Sequence, residues 1–322
     1  MTTRSRIFGI AIGTALLSPP ALADQPVTPR IGVLVASGNS RWDEGLRDGL
    51  HDLGYVEGKT IVIDWRRSAG TVEDLRSAAA ELVRSKVDLL VASGTPAARA
   101  ALEASSTIPV VFTAGDPVAS GLAGSLARPG GNGTGVATLT TELIAKCLEL
   151  LHELVPGARR IVYLKNSSNP NDARQLEEAQ KAARTLGVRL VTLDAHDAGE
   201  LDAALQALPR SGADGVLVAG DFLFSTNERK IARTARKAKL PAMVPWMQNP
   251  DDGLLMSYGV NLKELGRHAA IFVDKILKGA KPADLPIEQI NKYELVIDLR
   301  VANEQGIKVP QELLLRADEV IR

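Results

Sequence analysis

The sequence predicts an α/β protein of two similar lobes, each a parallel sheet covered by helices on both faces. From residue 30 onward, short β-branched apolar runs alternate with segments of helical spacing. The runs are apolar throughout, not at every second position, as in strands buried on both faces. The rhythm breaks at Pro129-Gly130-Gly131-Asn132-Gly133-Thr134-Gly135 and then restarts, which divides the chain into like halves.

In the first half, Arg30–Ala36 (RIGVLVA) predicts a strand, Trp42–Leu53 a helix stopped by Gly54, Thr60–Trp65 (TIVIDW) a strand and Thr71–Ser85 a helix. Val87–Ala92 (VDLLVA) and Pro109–Thr113 (PVVFT) predict strands, with helices at Pro96–Ala104 and, shorter, at Pro117–Ala127. In the second half, helices Glu142–Leu154, Asp172–Leu186, Glu200–Leu208 and Glu228–Lys239 alternate with strands Arg160–Leu164, Arg189–Leu193, Asp214–Ala219 and Ala242–Pro245. Leu254–Tyr258 as strand and Leu262–Leu277 as helix are expected to return to the first lobe, and Tyr293–Leu299 (YELVIDL) to join the second. The lobes are thus expected at residues 24–137 plus 254–284 and 138–253 plus 285–322.

Composition narrows the function. The 322 residues carry 38 basic and 38 acidic side chains, a balance that argues against nucleic acid or an anionic membrane as partner. The chain is 45% hydrophobic and 4% aromatic, which suits a large aliphatic core. Arg4 and Arg6, the apolar run Ile7–Leu17, Pro19-Pro20 and the small-residue site Ala21-Leu22-Ala23 read in order as a cleavable signal peptide over residues 1–23. The run is too short to span a bilayer. The expected product is therefore secreted, periplasmic and soluble. The single cysteine, Cys147, excludes an internal disulfide and reads as core filler rather than a reactive thiol.

In open parallel sheets, ligands bind beyond the carboxyl ends of the strands. The loops there supply the candidate ligand-binding residues. Ser37 and Asn39 follow the first strand, as ligand rim or as an ordinary turn with its cap. In Ala92-Ser93-Gly94-Thr95-Pro96, Ser93 and Thr95 are candidates. Thr95 has the chemistry of a helix N-cap and Pro96 that of a first helical residue, leaving the positive helix end for a carboxylate. Asp116 either caps its own helix or holds an ammonium group. In the second half, Asn169 lies in a segment dense in hydrogen-bonding groups. Asp221 and Phe222 lie in Gly220-Asp221-Phe222-Leu223-Phe224, whose two phenylalanines pack either on a ligand or between lobes. Trp246 and Tyr258 add aromatics near expected crossings, whereas Trp42 and Trp65 read as core or near-surface residues.

Signals for catalysis are weak. His51, His152, His196 and His268 sit on or beside predicted helices and show no metal-ligand spacing. Neither a G-x-S-x-G elbow nor a phosphate-binding loop occurs, and Gly131, Gly133 and Gly135 lack the flanking elements of a dinucleotide fingerprint, so they read as a turn. No cofactor or metal is expected, and no enzymatic activity.

The segment Thr95–Val136 (TPAARAALEASSTIPVVFTAGDPVASGLAGSLARPGGNGTGV) resembles a family of ABC-transporter substrate-binding proteins, a group associated with tryptophan or tyrosine uptake. Gly253–Leu299 and Val309–Ile321 resemble the same family, so the likeness runs over essentially the whole chain. It implies a type I periplasmic-binding fold, two Rossmann-like lobes joined by three crossovers, and delivery to an inner-membrane permease. Its ligand contacts map onto Thr95, Asp116 and Tyr258 by motif; the GDFLF loop at 220–224 departs from the family pattern.

These features describe a monomeric periplasmic binding protein for a small carboxylated solute, aromatic amino-acid-like among the options. The alternative is a sensing module that hands its closed state to a membrane receptor. An enzyme would need a nucleophile–base pair in the cleft, and a repressor an N-terminal helix-turn-helix where the signal peptide stands.

Overall fold

The computed structural model describes residues 28–35, 41–68, 71–247 and 250–322. The expected signal peptide and the loop carrying Ser37 and Asn39 lie outside the described residues.

The first lobe begins with β1 (Arg30–Val35), α1 (Arg41–Asp52), β2 (Val62–Arg67), α2 (Val72–Arg84), β3 (Leu89–Ser93), α3 (Thr95–Ala104), β4 (Val110–Ala114) and β5 (Gly133–Ala137). The second contains α4 (Thr140–Leu154), β6 (Arg160–Lys165), α5 (Asp172–Leu186), β7 (Arg189–Asp194), α6 (Ala198–Ala207), β8 (Gly215–Val218), α7 (Phe222–Thr226), α8 (Glu228–Lys237), β9 (Ala242–Trp246) and β10 (Met256–Val260). Then come α9 (Leu262–Leu277) and β11 (Glu288–Gln289) in the first lobe. β12 (Glu294–Asp298), α10 (Leu299–Gln305), α11 (Gln311–Arg316) and β13 (Glu319–Ile321) complete the second.

The two sheets run β11-β5-β4-β3-β1-β2 and β13-β12-β10-β9-β8-β6-β7. The first five strands of each half therefore take the same doubly wound order, with a switch point between β1 and β3 in one lobe and between β6 and β8 in the other. Every pairing is parallel except β10 with β12. In the first lobe, α1 and α9 cover one face of the sheet and α2 and α3 the other, with separate apolar clusters around Trp42 and Phe112. The second lobe has one continuous core around Tyr163 and Phe224. The chain passes between lobes at 138–139, at Asn261 and at 290–293, three crossovers. The architecture is the expected two-lobed, type I periplasmic-binding arrangement.

Four details differ from the sequence reading. The strand expected at Leu254–Tyr258 forms as β10 in the second sheet, pairing Met256 with Met243 and Ile297, because Leu254, Leu255 and Met256 complete that lobe's core. Only α9 returns to the first lobe, which moves the division to 28–137 plus 262–289 and 140–260 plus 294–322. The glycine run expected as a turn contributes β5, between β4 and β11. There Gly135 has φ +149° and a Cβ would stand 1.9 Å from Phe112 O, so glycine is required by close backbone approach. Pro117–Ala127 forms successive turns instead of a helix, with bonds such as Leu122 N to Pro117 O and Gly121 at φ +71°. Phe222–Thr226, expected as loop, is one helical turn whose cap is Asp221.

The return of α9 is fixed by contact at backbone distance with α1. A Cβ at Gly45 would lie 1.9 Å from Lys263 O, and one at Gly266 would lie 2.2 Å from Trp42 O. Only residues without side chains allow this approach, and it presses the first turn of α1 against the second crossover.

Candidate functional site

The carboxyl ends of both sheets face each other across a cavity of ≈ 620 Å³, its open mouth included, within the range of small-molecule sites at about 300–1,000 Å³. The first lobe lines it with Trp42, Ser93, Gly94, Thr95 and Thr113, and the second with Asn169, Asn171, Asp221, Phe222, Ser225 and Trp246. Trp42 follows β1 and Ser93 ends β3; Asn169 and Asn171 follow β6 and Asp221 follows β8. The cavity therefore joins the two switch points, where helices turn away from opposite faces of each sheet and leave a crevice.

α3 starts at Thr95, with Gly94 at φ +92° as its N-cap and no side-chain cap. The expectation that Thr95 caps this helix is corrected: its hydroxyl oxygen accepts from Gly115 N at 3.2 Å and from Asn171 Nδ2 at 2.9 Å. Asn171, at the N-cap position of α5, likewise leaves its own helix uncapped. Ala98 N bonds to Gly94 O, and Pro96 has no N–H, so the Thr95 and Ala97 amides have no acceptor within α3. The cavity wall at Gly94-Thr95-Pro96 is thus a helix N-terminus with donors and the positive end of its dipole available. Ser93 Oγ, which accepts from Thr113 Oγ1 at 3.4 Å, keeps its own proton to donate.

Opposite stands Asp221, 9% exposed. Its carboxylate accepts from Asn169 Nδ2 at 2.6 Å, Asn166 Nδ2 at 3.3 Å and Leu223 N at 2.7 Å. Burial raises its pKa above the ordinary carboxylate value, opposed by these three hydrogen bonds, which favour the ion. Among the described residues no cationic side chain pairs with it. Such a carboxyl is stabilised by a cation that enters the cavity.

The aromatic side of the site comes from both lobes. Phe222 crosses the cleft: a Cβ on Gly94 would lie 3.3 Å from Phe222 Cβ, and the ring packs against the first lobe's Trp42 cluster. Its neighbour Phe224 points into the second lobe's core, so the two phenylalanines divide the roles proposed for them. Trp246 is 3% exposed, and its indole N–H donates to Glu228 Oε2 at 2.6 Å.

Six of the candidate residues thus come together: Ser93, Thr95, Asn169, Asp221, Phe222 and Trp246. Asp116 does not line the cavity; its Oδ1 accepts from Ala119 N at 3.0 Å and closes a turn. Tyr258 lies on β10 with its ring 6.0 Å from that of Tyr293, beside the third crossover and off the cavity wall. Ser37 and Asn39 lie outside the described residues.

Two wall residues escaped the sequence reading. Trp42 is fully buried, and among the described residues its Nε1 has no partner. Asn171 is 2% exposed with Oδ1 unpartnered. Leaving either group unpaired costs about 1–3 kcal/mol. The available signal was position: each stands at the start of the helix that follows the first strand of its half. The structure also brings Ser167 Oγ within 2.7 Å of His196 Nε2, with Glu200 2.9 Å from Nδ1. This chain of bonds is solvent-exposed, is shared with Asp194 and lies off the cavity wall.

The family described as "ABC transporter substrate binding protein" matches residues 31–321. The "Tyrosine-binding protein" of Clostridioides difficile (strain R20291) is 29% identical over 278 residues, 86% of this chain and 78% of that protein. Among solved structures, "the ABC domain in complex with L-Trp" from Streptococcus pneumoniae superposes with TM-score 0.80 at 28% identity, over 91% of this chain and 100% of that one. The ligand-free, open structure of a Clostridium difficile substrate binding protein with adhesive properties superposes with TM-score 0.60 at 25% identity, over 91% and 99%. The chain belongs to the ABC transporter substrate-binding protein family, a family of solute-binding proteins and not of enzymes.

Proposed function

We propose that this ABC transporter substrate-binding protein captures a small carboxylated ligand, of the aromatic amino-acid type, between its lobes and presents it to an inner-membrane permease. The observation that carries the reading is the pairing of opposites across one cavity: the uncapped start of α3 in the first lobe and the buried, cation-free Asp221 in the second. A zwitterion satisfies both. The aromatic walls Trp42, Phe222 and Trp246 suit an aromatic side chain. Ser93, Thr95 and Asn169 complete the binding wall, and the relatives that bind tyrosine and L-tryptophan support the same class.

Capture follows from geometry. With the lobes apart, each rim is hydrated. A ligand that bonds both rims stabilises only the closed arrangement, and the population shifts toward it by the difference in affinity. Closure alters the outer surface that a permease meets. The reading of residues 1–23 as a signal peptide supports a periplasmic location, where the protein is proposed to act as a monomer.

The test is a thermal-shift series on the mature chain with L-tryptophan, L-tyrosine, L-phenylalanine, aliphatic amino acids and sugars. The expected result is selective stabilisation by an aromatic amino acid, about 2.7 kcal/mol at one hundred times Kd. Stabilisation by a sugar, with no response to any amino acid, refutes the reading.

A further inference from the structure

Among the described residues, two that line the cavity carry a buried polar side-chain atom with no protein partner: Trp42 with Nε1, a donor, in the first lobe and Asn171 with Oδ1, an acceptor, in the second. We infer that the ligand lies across the cleft with its carboxylate on the first lobe, taking a hydrogen bond from Trp42, and its ammonium on the second, between Asn171 Oδ1 and Asp221. The inference rests on the proposed function and specifies its recognition: the solute is a free α-amino acid, and Trp42 contacts it directly.

The polar side chains around the cavity divide by lobe into donors and acceptors. In the second lobe the side-chain donors are already spent. Asn169 Nδ2 and Asn166 Nδ2 both serve Asp221, Leu223 N does the same, Gln175 Nε2 serves Gly220 O, and Asn171 Nδ2 crosses to Thr95. What its side chains still offer is a carboxylate and an amide oxygen, both acceptors. In the first lobe the order is reversed. The acceptor of Thr95 is occupied twice, by Gly115 N and Asn171 Nδ2, whereas the Thr95 and Ala97 amides, the Ser93 hydroxyl and the Trp42 indole can donate. The side chains of one lobe offer N–H and O–H groups, those of the other offer oxygens. A zwitterion can meet both only in this orientation, since the reverse would set its carboxylate against Asp221. A keto acid would leave Asp221 and Asn171 unmet, and an amine without a carboxylate would leave Trp42 unmet. Buried indole N–H groups are normally paired, and Trp42 is 0% exposed.

The experiment is calorimetry on the mature chain, wild type and Trp42→Phe, with L-tryptophan, tryptamine and indole-3-propionate, weak binders being measured by competition. Trp42→Phe keeps an aromatic ring and removes the N–H. The expected result is a tenfold or greater loss for L-tryptophan and for indole-3-propionate, which carry the carboxylate, and less than a twofold change for tryptamine. A ¹H–¹⁵N spectrum provides a second readout. The Trp42 indole signal, identified by its loss in Trp42→Phe, moves downfield with L-tryptophan and stays in place with tryptamine. Equal losses for all three ligands, or an indole signal indifferent to the carboxylate, overturn the assignment and leave Trp42 as packing. Absence of binding by wild type to any aromatic amino acid is a different failure, since it removes the proposed function and this inference with it.

Discussion

Asn171 Nδ2 in the second lobe donates to Thr95 Oγ1 in the first at 2.9 Å, a direct hydrogen bond across the cleft between two side chains that each stand at a helix start without capping it. N-cap positions normally use such side chains for the local helix. Here they tie one lobe to the other.

Thr95→Val removes the acceptor while nearly keeping the shape. The unliganded protein should spend more time open, so small-angle scattering should give a larger radius of gyration than for wild type. Affinity should fall about tenfold, ~1.4 kcal/mol. An unchanged radius of gyration would show that this bond does not restrain the lobes.

Asp221 and Asp116, both proposed from the sequence, should separate on substitution. Asp221→Asn should weaken amino-acid binding a hundredfold or more, whereas Asp116→Asn, which retains an oxygen for Ala119 N, should change it less than threefold. Calorimetry on both variants decides it.

The pH dependence of stability carries the sign of the Asp221 shift. Its folded pKa is raised above 3.8 by burial. The folded state thus keeps a proton that the unfolded state has lost, and stability falls as pH rises from about 4 through the folded value. Unliganded wild type should therefore lose Tm relative to Asp221→Asn over that interval. A ligand ammonium should cancel the loss. Parallel Tm curves for the two proteins would contradict the assignment.

Helix contact at backbone distance makes Gly266 intolerant of a side chain. In Gly266→Ala a methyl would stand 2.2 Å from Trp42 O and 2.6 Å from Leu46 N, and denaturant unfolding should show a loss of about 1–3 kcal/mol. Gly157→Ala, where nothing lies within 4 Å, should stay within about 0.5 kcal/mol. Ligand affinity should fall only in the first, because Trp42 moves.

Cys147 is fully buried, its thiol pKa pushed up by burial and its Sγ–H directed to Tyr258 O at 3.5 Å. Native protein should be inert to Ellman's reagent and react with one equivalent on unfolding. Rapid labelling of the native state would mean that the packing of α4 on β9 and β10 opens readily.

Much of the fold was legible because periodicity is a local property. The helices at 172–186 and 262–277 match the sequence reading to the residue, since their apolar stripes have clear starts and stops. The fold class and the binding character were equally accessible. What failed locally failed for a reason of context: Gly133–Ala137 has glycine at two of its five positions and becomes β5 because β4 and β11 flank it. β10 joins the second sheet because that lobe's core has room for Leu254, Leu255 and Met256.

By itself the sequence determined most of the strands and helices, the βαβ rhythm repeated in two halves, and that polar loops gather at strand ends, because backbone and burial preferences act within a few residues. Only the tertiary structure decided which of those loops meet. It set Trp42, which the sequence read as core or near-surface, into the cavity wall, withdrew Asp116 and Tyr258 from the cavity, and placed Asp221 opposite the start of α3. Those relations join residues more than a hundred positions apart, and they arise when two sheets turn their carboxyl ends toward each other.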